Sequence, residues 1–399
     1  MNLLMISGDR SLASGKLGAF YVTLEELRKH WERIDVICPR ASGRCVMVSG
    51  DEPSHQPIVS SFVSAQGDTI FHNVFLHHSP SGLWYQPLWI LRKGKELCRQ
   101  RQYNVMTVHD YPPFYNGLGA WLLHRAEDMP WIAEIHHVVG YPVAADFREW
   151  VGRRMYPLYL RTIGRKASAF RVVNAGTRDL LARWGVQQER IHVVPSFYLD
   201  HELLNPDPSI QKKYDVVFCG RLVVNKGIEN LMEAIATVYP STTLGMTQSL
   251  RLLVIGDGPL LQYLKAESYN LKTHVTFAGW LPVPRDVYRA IQSVKIFVMC
   301  SKSEGGPRVL LEAMALGLPV IATNVGVVPD VIRDRENGLI TTGTPEDIAE
   351  KIRVLLADDV LRTRLGNNAR AVIQKFERKK LIMEYAEFLQ SFSYRIPSP

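Results

Sequence analysis

The chain has 399 residues, 46% of them hydrophobic, and carries 47 Lys and Arg against 39 Asp and Glu, a net charge of +8. That length allows two ordinary domains with cores of their own, and the composition is that of a globular protein. The longest apolar runs are strand-length, short of the roughly twenty residues that span a bilayer. Five widely spaced cysteines (Cys38, Cys45, Cys98, Cys219, Cys300) include no CxxC pair. They suggest neither zinc nor a disulfide framework and fit a reducing cytoplasm.

Met1 to Ser7 reads as a first buried strand and lacks the basic start of a signal peptide. A loop with Gly8, Gly15 and Gly18 follows, then a helix from Phe20 to Trp31 and a strand from Ile34 to Cys38. The loop lacks the GxGxxG spacing of a dinucleotide fingerprint. A helix near Gln86–Arg101 precedes the strand Val105–Val108, which ends in His109 and Asp110, and the strand Trp131–Ile135 ends in His136 and His137. Charged and aromatic residues at a strand's carboxyl end sit where open α/β sheets bind ligands. Taken alone, each histidine is more often structural or on the surface, and neighbouring histidines rarely chelate one metal. Ala169–Asn174 and Arg190–Val194 complete this half, and the linker is read at 201–212, with two prolines and no apolar periodicity.

Two basic patches lie in the first half. Arg148, Arg153, Arg154, Arg161, Arg165 and Lys166 face one acid, Glu149; Arg92, Lys93, Lys95, Arg99 and Arg101 follow Trp84, Tyr85 and Trp89. Cations beside aromatics suit an anionic membrane surface, the competing reading being core helices with solvated basic faces. No nucleic-acid module accompanies the charge, so no nucleic-acid partner is expected.

The second half opens with strand Tyr214–Cys219, then Gly220, Arg221, Lys226 and helix Ile228–Val238. An arginine and a lysine at a strand end before a helix can clamp a diphosphate or remain solvated loop cations. Ser241–Ser249 reads as a loop insertion, strand Leu252–Ile255 ends in Gly256, and strand Val275–Phe277 leads to Trp280, which can stack on a ligand or pack. The organising stretch is Cys300–Ile321, CSKSEGGPRVLLEAMALGLPVI: a strand before it, a glycine-rich loop, then a helix from Arg308 to Leu316. Pro307 suits a first helical position, and the free N–H groups there favour an anion. Glu304 lies in the loop and Glu312 in a helix that is apolar nearly all round. A carboxylate there is costly unless it lines a cleft or has a partner; the alternative is a solvated edge.

Ser301-x-x-Glu304-Gly305, Leu311-Glu312-Ala-Met-Ala-x-Gly317-x-Pro319-Val-Ile-Ala, Asn324-Val-Gly326 and Asn337-Gly338-Leu339 together resemble the nucleotide-sugar motif of retaining GT-B glycosyltransferases, family 4. Gly220-Arg221-Leu222-x-x-x-Lys226-Gly227 matches a second motif of that family, and Pro130-x-x-x-x-x-His136 a third. The resemblance implies two Rossmann-like α/β domains facing a cleft: residues 1–207 on the acceptor side, 208–378 for the nucleotide sugar, and 379–399 as a helix returning to the first domain. Glu312 would hold the ribose, Glu304 the sugar hydroxyls, and the free N–H groups over Gly306 to Leu310 (those of Gly306, Arg308, Val309 and Leu310) the diphosphate, with Gly305 and Pro307 also at the donor. Arg221 and Lys226 would be its cationic clamp, with Gly220 and Gly256 shaping the cleft and Trp280 near the base. Gly15 would approach the donor phosphate, His136 the donor sugar, and His109 with Asp110 the acceptor. One departure is visible: the family's Asn-Gly after Pro195 is replaced by Ser196-Phe197-Tyr198.

The implied chemistry is transfer of a hexose-type sugar from a UDP- or GDP-sugar, with retention, to a saccharide or lipid-linked acceptor. His136, Glu304, Arg221 and Lys226 are the catalytic candidates. No Asp-x-Asp metal motif is present, so neither metal nor other cofactor is expected. The expected place is the cytoplasm, peripheral on the inner face of a membrane if the patches bind lipid. Rival readings are a sugar-nucleotide epimerase or hydrolase of the same fold, and a GT-B protein that only binds.

Overall fold

The structure is a computed structural model that describes residues 1–9, 18–40, 68–238, 250–270 and 274–393. Two sheets organise the chain. The first holds β1 (Asn2–Ile6), β2 (Arg33–Cys38), β3 (Asp68–Phe71), β4 (Val74–His78), β5 (Val105–His109), β6 (Trp131–Ile135), β7 (Ala169–Val172) and β8 (Ile191–Val193), in the order β3-β4-β2-β1-β5-β6-β7-β8. All neighbours are parallel except β3 and β4. The second holds β9 (Tyr214–Cys219), β10 (Arg251–Ile255), β11 (His274–Gly279), β12 (Val294–Met299), β13 (Val320–Thr323) and β14 (Leu339–Thr341), all parallel, in the order β11-β10-β9-β12-β13-β14.

Both orders reverse direction about a central strand, β1 in one sheet and β9 in the other. Loops leaving strands on either side of such a point diverge and open a crevice at the carboxyl ends. The central strands are short runs such as LLMI and VIAT, buried on both faces, as parallel strands under crossover helices must be.

The apolar core is continuous between the domains. One cluster runs from Leu3, Met5 and Leu24 through Phe197, Tyr198 and Leu199 to Leu310, Met314 and Tyr385. Separate clusters fill the outer face of each sheet, around Trp131 and Tyr156 in the first and around Phe218 and Ile352 in the second. The helix Arg378–Gln390 belongs to the joining cluster. It returns to the first domain, where Gln390 donates to the His30 carbonyl at 2.9 Å and Tyr385 donates to Glu134. Sequence places helix Ile228–Val238 to the residue. The first helix is shorter than expected, Ala19–Leu27, with a tight 3₁₀ turn over Arg28–His30. Gly15 and the insertion Ser241–Ser249 lie outside the described residues.

Candidate active site

The carboxyl end of β12 runs into the loop Cys300–Pro307, and hydrogen bonds to its backbone and from it fix its course. Lys302 N–H donates to the Asn225 carbonyl (2.8 Å), Asn225 Nδ2 to the Ser303 carbonyl (3.0 Å), and Thr323 Oγ1 to the Ser301 carbonyl (2.7 Å). Lys226 is carried by the 3₁₀ turn Val224–Lys226, which Gly227 closes at φ +64°; a Cβ there would stand 2.1 Å from the Cys300 carbonyl oxygen. Lys226 Nζ therefore reaches Glu304 Oε1, which also accepts Ser301 Oγ at 2.8 Å. Arg221 is exposed at the end of β9 and has no side-chain hydrogen bond or ion pair among the described residues. The segments after β9 and β12 thus present Lys226 tethered to Glu304, and Arg221 with no side-chain partner among the described residues.

Pro307 caps the helix Arg308–Ala315 from outside, one position earlier than its sequence suggests, because its ψ of 88° is not helical. Glu312 is buried on that helix, where its Oε1 accepts Arg308 Nε and Tyr288 OH, each at 2.9 Å. Burial raises its pKa above the usual carboxyl value, against the pull of Arg308 and Tyr288. Gly220 and Gly256 pack at the ends of β9 and β10. Gly256 sits at φ +132°, and a Cβ on it would lie 2.0 Å from the Gly220 carbonyl oxygen. Trp280 is 71% exposed, so its ring is open to solvent rather than packed in the core.

The first domain meets this loop closely. A Cβ on Gly305 would lie 2.0 Å from the His136 carbonyl oxygen, so only glycine permits that approach. Asn174 Nδ2 donates to the Gly305 carbonyl at 2.9 Å, and His137 Nε2 bonds Ser303 Oγ at 2.6 Å. Phe197 occupies the departure after Pro195: it is buried against Phe376, with ring atoms where a Gly306 Cβ would be. The ring explains why Gly306 can carry no side chain here.

Glu134, in β6, is the centre of the first domain's half and was not singled out by sequence. Its Oε2 accepts Arg171 Nη1 at 2.8 Å and His136 Nε2 at 2.9 Å, with His109 Nε2 at 3.5 Å; its Oε1 accepts the hydroxyls of Thr107 and Tyr385. Burial opposes its charge, yet Arg171 and the two histidines hold its carboxyl well below the usual range. Burial pushes His136 down to about 4, against the Glu134 hydrogen bond. An ionised carboxylate only accepts, so His136 carries its proton on Nε2. His109, Glu134 and His136 have ligand atoms within 4.8 Å of one another, a spacing a metal could use. The Arg171 guanidinium already holds Oε2 there, and its charge opposes a second cation.

A cavity of about 310 Å³ opens between the sheet and the helices Ala19–Leu27 and Arg378–Gln390, with His109, His136, Arg171, Tyr198, Leu381 and Tyr385 among its walls. No residue of the Cys300–Pro307 loop lines it. His109 lines this cavity, but Asp110 does not. One step along the backbone turns its side chain to the opposite face, where it is 3% exposed beside Tyr159 and Gly117. Burial pushes its pKa up to about 7, and neither carboxyl oxygen has a hydrogen-bond partner among the described residues.

The two basic patches turn aromatic residues outward. Along helix Gln86–Gln100 and the turn before it, Trp84, Leu88, Arg92 and Arg99 are exposed on one face. On helix Phe147–Arg161 the exposed face is Phe147, Trp150, Arg154, Leu158 and Arg161. Both helices follow strands of a parallel sheet, so their aromatic N-terminal ends lie on the cleft side. Among the described residues, no helix is long and apolar enough to cross a membrane.

Residues 20–196 match the family described as Glycosyl transferase 4-like domain, and residues 201–372 match Glycosyl transferases group 1. N-acetyl-alpha-D-glucosaminyl L-malate synthase of Bacillus anthracis is 24% identical over 327 residues, 71% of this chain and 80% of that protein. A GDP-mannose-dependent alpha-(1-6)-phosphatidylinositol monomannoside mannosyltransferase of Mycobacterium tuberculosis is 28% identical over 266 residues, 60% of this chain and 67% of that one. Against several other curated relatives the match spans about half of their length. Among solved structures, Anabaena HepE in complex with UDP and glucose superposes with a TM-score of 0.70 at 18% identity, covering 98% of this chain and 100% of that one. Two family matches that together run almost end to end, on two facing parallel sheets, make this chain a GT-B glycosyltransferase of the family-4 type.

Proposed function

We propose that this glycosyltransferase moves a hexose-type sugar from a UDP- or GDP-sugar to a saccharide or lipid-linked acceptor, with retention of configuration and without a bound metal. The observation that carries the reading is the Lys226–Glu304 pair at the strand ends of the second sheet, with Arg221 exposed just past β9 and the neighbouring Gly305 packed against the His136 carbonyl. HepE is solved with UDP and glucose and the mycobacterial relative uses GDP-mannose, which supports a nucleoside diphosphate donor and leaves the base open.

In this reading Arg221 and Lys226 bind the diphosphate and stabilise the negative charge that grows on it as the glycosidic bond breaks. Glu312 takes the ribose hydroxyls and Glu304 the sugar hydroxyls. Lys226 trades part of its Glu304 contact for phosphate. The leaving phosphate accepts the acceptor's proton on the same face of the sugar, which needs no protein nucleophile and gives retention. The cavity walled by His109 and Tyr385 holds the acceptor. The outward aromatic and basic faces suit an anionic membrane at the cytoplasmic side, which would deliver a lipid-linked acceptor.

A thermal-shift panel of UDP-, GDP- and ADP-sugars tests the donor. A donor at about 100 times its dissociation constant adds roughly 2.7 kcal/mol of stability. Stabilisation by one donor class, lost in Arg221→Ala, is the expected result, and no shift with any donor would refute the reading. NMR of the product's anomeric proton then reads retention or inversion. Vesicle co-sedimentation with no preference for anionic lipid would remove the membrane component.

A further inference from the structure

Strand β6 reads WIAEI and β7 reads AFRV, apolar runs broken by one acid and one base on adjacent, fully buried strands. A buried ion pair seldom adds stability over well-packed apolar side chains. Glu134 therefore calls for another reason, and its contacts supply one. Each carboxylate oxygen is occupied: Thr107 and Tyr385 on Oε1, Arg171 and His136 on Oε2. Arg171 is held in turn by the carbonyls of Val194 (3.0 Å) and Pro195 (2.8 Å), with its guanidinium 3.6 Å over the Tyr385 ring. The carboxylate cannot turn, and the imidazole bonded to it stands in the cavity wall.

We propose that Glu134 is a positioning residue for His136: it fixes the imidazole as the tautomer protonated on Nε2 and leaves Nδ1 as an acceptor for a hydroxyl of the bound sugar, with the crossing helix completing the device through Tyr385. No other hydrogen bond of the His136 ring is present among the described residues, so Nδ1 is available for that hydroxyl. The inference rests on the reading that His136 meets the donor sugar. Glu134 itself touches no substrate.

Four measurements decide it. Nitrogen-15 NMR of the wild-type enzyme should find His136 protonated on Nε2, and protonation on Nδ1 overturns the proposal. Glu134→Gln should lower kcat on the order of 100-fold with little change in KM for the donor, since an amide no longer dictates the tautomer; an unchanged kcat in folded enzyme overturns it. Because Glu134→Gln leaves Arg171 buried and uncompensated, the double variant Glu134→Gln with Arg171→Met restores charge balance. Its kcat should stay low, and recovery to the wild-type rate would show that Glu134 serves only charge balance. His136→Ala separates this from the function itself. If that variant keeps its kcat, the role given to His136 fails; if it loses activity while the double variant is normal, only the role of Glu134 fails.

Discussion

Lys226 and Glu304 pair on the second domain with 22% and 13% of their side chains exposed, whereas Glu134 and Arg171 pair inside the first with 0% and 4%. Both are acid–base pairs at the carboxyl ends of parallel strands, yet they are built for different work. The first can exchange partners when a diphosphate arrives, because water and ligand reach it. The second is closed in by Thr107, His109, His136, Val194, Pro195 and Tyr385 and keeps its geometry whatever binds. A mobile charge belongs where charge develops in the reaction, and a fixed one where a neighbouring ring has to be oriented.

Swapping the kind of damage between the two pairs is the most forceful way to break this comparison. Lys226→Ala should cost about 100- to 1,000-fold in kcat while leaving the melting temperature near wild type. Arg171→Leu should instead cost about 3–5 kcal/mol of stability, because it leaves Glu134 charged and unpaired in the core. Steady-state rates and denaturant unfolding on both variants check this. A Lys226 variant that unfolds, or an Arg171 variant that is stable but inactive, would erase the distinction. Next in size is Glu312→Ala, which removes a carboxylate expected to bond the ribose. Hydrogen bonds to a charged group contribute about 1.5–3 kcal/mol, so titration calorimetry should show the donor binding at least about tenfold more weakly. Tyr385→Phe sharpens the other side. It deletes one hydroxyl on Glu134 while keeping the ring under Arg171, and about 1 kcal/mol of stability should be lost.

The contrast also sets what the sequence could tell. The donor side is written locally: Ser301, Glu304, Gly305, Gly306 and Glu312 fall in one strand-loop-helix unit, and Arg221 and Lys226 in another. Spacing along the chain is then nearly spacing in the cleft. The first domain's half is assembled from Thr107, His109, Glu134, His136, Arg171 and Tyr385, contributed by three strands and their ends and by a helix from the far end of the chain. Each is unremarkable alone. The signal that was there is the single acid in WIAEI with the single base in AFRV, since neither charge belongs in a parallel strand without a partner. Asp110 shows the opposite failure. The resemblance put Asp110 with His109 on the acceptor side, but consecutive side chains at a strand end point to opposite faces, and Asp110 is buried.

Asp110 gives a clean effect on stability alone, because its side chain is buried and does not line the cavity. Its pKa is pushed up to about 7 in the folded protein, against about 3.9 for an unperturbed Asp. Between those values the native state holds a proton that the unfolded chain has released. Stability then falls as pH rises from about 4 to about 7, and the full penalty stands above that range. Asp110→Asn mimics the protonated form and should escape the penalty. Its melting temperature relative to wild type should rise from pH 5 to pH 8, with donor turnover unchanged at either pH. An equal difference at both values would mean that the carboxyl is already ionised at pH 5, and a loss of turnover would return Asp110 to the acceptor side of the cleft.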